Sequence, residues 1–176
     1  MPDDTLSGVI RTFMSVTRTV TNTDWTDTRT ISPAKSYVFV DGGANVLGAD
    51  QVWSSTRSLT GGTTQTIDLL DLKDYPLDAE ATTTFRSIRA VRVANNMTIT
   101  GPRIVVGPGA SQGWTRVQGD VGPSGELLAV NNLNHWPVGD NTKNLQFHAT
   151  GATGATGLIS FTITIVGSTV TGATGY

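Results

Sequence analysis

The chain has no cysteine, three lysines, two glutamates and only two histidines in 176 residues. Without cysteine there is no disulfide framework and no thiolate chemistry, and nothing speaks to redox compartment. The shortage of lysine and glutamate removes two strong helix formers. No apolar run approaches the roughly 20 residues of a membrane-spanning helix. A net charge of −2 is not the basic balance of a dedicated nucleic-acid binder. The start, Met1-Pro2-Asp3-Asp4, lacks the charged-then-apolar pattern of an export signal, so synthesis in a cytoplasm without signal-peptide export is expected.

What remains is rich in Thr (29) and Gly (20), with Arg (9) and Asp (12) carrying the charge. Thr is β-branched, while Asp, Gly and Asn are turn formers, so the composition predicts an all-β chain. Its length suits one domain over 8–168, divided into an arm with the first strands (1–50) and a main sandwich (51–176).

Residues 84–100 read as the central strand, apolar on both faces and seasoned with arginine. Strict alternation puts Ile88 and Ala90 with Arg86 and Arg92 on one face, and Phe85, Ser87, Arg89, Val91 and Val93 on the other. Asn95-Asn96 then marks a turn or bulge. Residues 8–20 alternate well and predict a strand, 21–32 a polar loop or weak edge strand around Trp25, and 35–41 a further strand. Residues 51–59 and 63–69 predict a hairpin about Gly61-Gly62. Residues 68–76, with Asp68 as cap and Pro76 as stop, are the one place for a short helix. Further strands are predicted at 103–106, 113–117, 126–131, 143–149 and 158–166. In the last, Ile159, Phe161, Ile163 and Ile165 alternate with Ser160, Thr162 and Thr164. Short strands with turn signals between them predict an all-β, two-sheet antiparallel β-sandwich, jelly-roll-like. The Gly-Ala-Thr triplets at 151–157 are too few for a collagen triple helix and predict a flexible hinge.

Candidate chemistry is sparse. His135 stands in a loop beside Trp136 and His148 in a strand, with no nucleophile elbow and no paired metal ligands around them. The expectation is therefore no enzyme, no cofactor and no metal. Asp68, Asp71, Asp74 and Asp78 do not follow the spacing of a calcium loop, and a cap with a solvated turn explains them more simply. Arg86, Arg89, Arg92, Arg103 and Arg116 do not form one stripe on a strand, so ion pairs with Asp are the plainer role. Trp25, Trp53, Trp114 and Trp136 either anchor an interface or core, or stack on sugars as in a carbohydrate-binding module. The interface candidates are Trp25, Trp53, Arg89, Trp114 and Trp136.

Several stretches carry a likeness. Trp53-Ser-Ser-Thr-Arg-Ser-Leu-Thr-Gly-Gly-Thr-Thr-Gln-Thr-Ile-Asp-Leu-Leu-Asp-Leu precedes Phe85-Arg-Ser-Ile-Arg-Ala-Val-Arg-Val-Ala-Asn-Asn. Gly107-Pro-Gly, Gly122-Pro-Ser-Gly-Glu-Leu-Leu and a closing Phe161-Thr-Ile-Thr-Ile-Val-Gly-Ser follow. This order resembles small β-sandwich virion structural proteins of tailed bacteriophages, over residues 52–168. Gly-Pro-Ser-Gly stands where that pattern has Pro-Gly-Gly, and the Gly-Ala-Thr insert is extra. The resemblance implies a capsid decoration or cement subunit in the virion, assembled in the host cytoplasm. It would bind the major capsid protein or other virion proteins, as a homo-oligomer with a trimer favoured, and would touch neither nucleic acid nor membrane. A tail, neck or fibre-associated subunit is the alternative within that class.

Overall fold

The computed structural model describes residues 8–13, 16–21, 26–31, 34–39, 49–74, 78–131, 135–151 and 157–170. The expected arm at 1–7, the hinge triplets at 152–156 and Trp25 lie outside them.

The chain begins with a ribbon. Strand β1 (Gly8–Phe13) pairs antiparallel with β4 (Ala34–Phe39), and β2 (Val16–Thr21) with β3 (Thr26–Ile31). The rungs of both ladders follow one register, from Gly8↔Phe39 to Thr21↔Thr26, and together the two ladders make up the ribbon. At about 3.4 Å per residue each six-residue ladder is roughly 20 Å long. The stretch expected to be a loop or weak edge strand thus contains a paired strand, β3. Among the described residues the ribbon joins no other sheet.

The sandwich begins with β5 (Gln51–Thr60) and β6 (Thr64–Asp68), followed by a small ladder of β7 (Leu72–Asp74) with β8 (Asp78–Thr83). Next come β9 (Ser87–Asn95), β10 (Arg103–Pro108), β11 (Gly119–Val121), β12 (Glu126–Val130) and β13 (Trp136–Pro137). The chain closes with β14 (Asn144–Thr150) and β15 (Leu158–Ser168). One sheet has the order β12-β9-β15-β5, with β13 also on β9, and the other has β11-β10-β14-β6. The ladders nest: β5 with β15, β6 with β14, β9 with β12, β10 with β11, all antiparallel. A long hairpin wound over itself in this way is a jelly roll.

Three local expectations give way here. Gly61-Gly62 is a corner between sheets, because β5 and β6 each pair with a different late strand. The turn chemistry is real: Thr63 N donates to Thr60 O, and Gly62 has a φ of 81°. The helix expected near 68–76 is replaced by a turn running into β7. Asp68 does cap, but what it caps is a turn: its Oδ1 accepts from Leu70 N at 2.9 Å and its carbonyl from Asp71 N at 3.1 Å. Residues 113–117, expected as a strand, contribute one isolated bridge at Gly113.

The core follows from alternation. Ile159, Phe161, Ile163 and Ile165 of β15 are fully buried, opposite Ile104, Val106, Leu145 and Phe147 of the other sheet. Each such side chain contributes about 2 kcal/mol by leaving water. The rings of Phe147 and Phe161 meet at 5.2 Å and bridge the sheets. Buried Asn95 is satisfied on both amide atoms: Nδ2 donates to Pro102 O and Val121 O, and Oδ1 accepts from Met97 N.

Strand β9 does not alternate strictly. Ala90 opposes Val166 while Ile88 opposes Gly167, so Arg89 is a bulge residue without an opposite number on β15. The bulge swings Ile88 into the core beside Val91 and Val93, correcting the expectation that it shares a face with Ala90. Gly167 is obligatory there, since a Cβ on it would lie 2.3 Å from Ser87 O and 2.8 Å from a Phe85 ring carbon. Gly167→Ala is expected to destabilise the fold by about 3 kcal/mol, read from urea denaturation, because backbone cannot yield as a flexible side chain does.

Candidate functional site

The bulge gathers polar groups on the outer face at one end of the β9 sheet. Ser87 and Ser168 are fully buried and Arg89 is 1% exposed. Arg89 Nη1 donates to Asn131 O at 3.3 Å, and Nη2 lies 3.2 Å from His135 Nε2. His135 Nδ1 lies 3.0 Å from Ser87 Oγ, which donates to Val170 O at 3.2 Å. Asp50 completes the cluster, accepting from Ser168 Oγ, Thr169 N and Thr169 Oγ1 at 2.9 to 3.1 Å.

A Ser–His contact of 3.0 Å resembles a nucleophile with its base. The hydrogen-bond partners assign the opposite polarity. A guanidinium only donates, so His135 Nε2 accepts from Arg89 and the ring proton sits on Nδ1. Nδ1–H then donates to Ser87 Oγ, and the hydroxyl proton goes to Val170 O. In this arrangement His135 cannot take the serine proton. The relay runs from Arg89 to a backbone carbonyl and ties residue 131, residue 135 and the end of β15 to β9. Burial pulls the Arg89 pKa down, through desolvation of its charge.

The remaining expected residues scatter. Trp53 and Trp114 are 1% exposed and lie in the core, their indole N–H groups donating to Lys73 O at 3.0 Å and Pro137 O at 3.1 Å. Their rings lie inside the chain, the core role expected beside the interface one, and Arg89 is buried as well. Trp136 is half-buried and meets Trp114 edge-on at 5.9 Å. Trp114 therefore offers no platform to a sugar.

Three of the five arginines of that expectation, Arg86, Arg92 and Arg103, pair with carboxylates, while Arg89 does so with none in the bonds above. Arg103 grips Asp120 with Nε and Nη2 at 2.8 to 2.9 Å, and Arg92 meets Glu126 at 2.8 Å. The Asp120 hydrogen bond and charge raise the Arg103 pKa. Arg86 lies 3.8 Å from Asp140. Asp68 and Asp71 turn to Lys143 (2.6 Å) and Lys73 (3.1 Å). Among the described residues no three metal-ligating side chains gather.

One broad surface carries short hydroxyls and no charge on β5 and β15. On the outer face, Ser54, Thr56, Ser58 and Thr60 of β5 lie beside Thr164, Thr162, Ser160 and Leu158 of β15. Ser54 bonds Thr164 at 3.1 Å, Thr56 bonds Thr162 at 2.9 Å, and Asn96 bonds Thr162 at 3.0 Å. The result is an uncharged face of short hydroxyls already bonded to one another, ordered before any partner arrives.

Ser87, Asn131 and Asp50 are missing from the sequence reading. No spacing could have found them, since the Ser168–Asp50 pair alone spans 118 residues. No protein-family model matches the chain, and no curated protein does either.

Arg89→Met is expected to destabilise the protein by about 2–3 kcal/mol in urea denaturation, because His135 Nε2 and Asn131 O lose a charged donor. His135→Phe in that background should then cost little more, the two residues being coupled.

Proposed function

We propose that this chain is a phage virion structural protein, a decoration or cement subunit that stabilises the capsid by protein–protein contact. The observation that carries the reading is the ribbon of β1 to β4, whose rungs pair only with each other among the described residues. An isolated two-stranded ladder is marginal in water, so each of these gains from lying against a neighbour. The preordered hydroxyl face on β5 and β15 supports the same reading, since it presents hydrogen-bonding groups at little entropic cost. The jelly roll is compatible with it and with much else, so the fold adds little by itself. The partners would be the major capsid protein and further copies of this chain, in a trimer. No cofactor enters the reading.

A quantitative mass-spectrometric inventory of purified particles tests it. A cement subunit should be present in on the order of hundreds of copies, as shell symmetry requires. A handful of copies would place it in the tail, and absence from particles would overturn the proposal.

A further inference from the structure

Two polar groups on the β5/β6 side of the sandwich have no partner. Strands β5 and β6 are the outermost strands of their sheets on that side, and the Gly61-Gly62 corner joins them. Arg57 of β5 opposes Phe161, and Gln65 of β6 opposes Phe147. Because those two rings meet at 5.2 Å, Arg57 and Gln65 stand at one level, at the two ends of a row crossing both sheets. Arg57 Nε and Gln65 Oε1 are both buried without a hydrogen-bond partner. The guanidinium rests 5.6 Å from the Trp53 ring centroid, and among the described residues no carboxylate pairs with it. Desolvation pulls its pKa down. Every other partly buried polar device described above is satisfied, so this pair stands out.

We infer that the β5 edge around Arg57 is a docking site for an extended segment of a partner protein that presents a carboxylate to Arg57. Charge complementarity names the occupant. A half-buried cation without a counter-ion favours an acidic group, and a planar guanidinium suits a carboxylate in particular. Geometry names its form. The Trp53 end of β5 is met by β7, through the indole bond to Lys73 O, while, among the described residues, 55–60 have a ladder partner on the β15 side alone. A strand added there pairs its backbone with β5. It then sets a side chain beside Arg57 as a cross-strand neighbour. The inference stands whether or not the chain resides on a virion.

Selection of a displayed library of random nine-residue peptides on the full chain, with Arg57→Met in parallel, tests this. The expected result is enrichment of Asp or Glu at one central position, lost at least tenfold with Arg57→Met. Amides of residues 55–60 should gain exchange protection in the wild-type complex with the best peptide. Free Arg57→Met should melt no lower than the wild type, since the arginine it removes has no counter-ion at rest and the Met thioether can keep a contact with the Trp53 ring. Failure to select any peptide would overturn the inference. So would enrichment indifferent to Arg57→Met, protection elsewhere, or competition by citrate alone that shows a free carboxylate to be sufficient. A fall of several degrees in the melting point of free Arg57→Met would show Arg57 to be structural and would overturn it too.

Discussion

The last strand of the chain lies in the middle of its sheet. β15 is clasped between β5 and β9, and four of its side chains fill the space between the sheets. Every long-range ladder of the sandwich nests around that placement, since β14 can reach β6 and β10 only if β15 reaches β5 and β9. A fold built from such distant pairings gains little until its ends meet, which makes closure slow and cooperative.

The bulge at Arg89 is where that closure is locked. Gly167 lets the β15 backbone approach Ser87, Ile88 turns inward, and Arg89 turns to the relay with His135. A single displaced rung therefore serves packing on one face and a polar clasp on the other. Asp50 secures the same end from the opposite side of the strand, so the terminus of β15 is held by both of the strands that flank it.

How much of this was legible in the sequence depends on whether the signal was local. The alternation of β15 and the central position of β9 could be read directly, because burial imposes period two on consecutive residues. Gly61-Gly62 was read as a hairpin since a turn looks the same whether its strands pair with each other or part to different sheets. Asp68 was read as a helix cap for a similar reason: the same carboxylate–amide bond closes an Asx turn. The Arg89 cluster was invisible, because the bulge that builds it depends on a glycine 78 positions away, and strict alternation then assigned Ile88 to the wrong face. Trp53 and Trp114 stand in expected strands with core and interface both open, and only the tertiary fold supplies the carbonyls that satisfy their indoles inside the core.

The outer half of the ribbon holds an ambiguity of its own. Every second rung there sets threonine against threonine, Thr17↔Thr30, Thr19↔Thr28 and Thr21↔Thr26, and Arg18 directly opposes Arg29. Sliding one strand by two residues would put Thr17 against Thr28 and Thr19 against Thr26, so the threonine repeat along these rungs is the same in both alignments. Identical teeth mesh equally well one notch along. The rungs nearer the base, such as Phe13↔Ala34 and Ile10↔Tyr37, carry no such repeat.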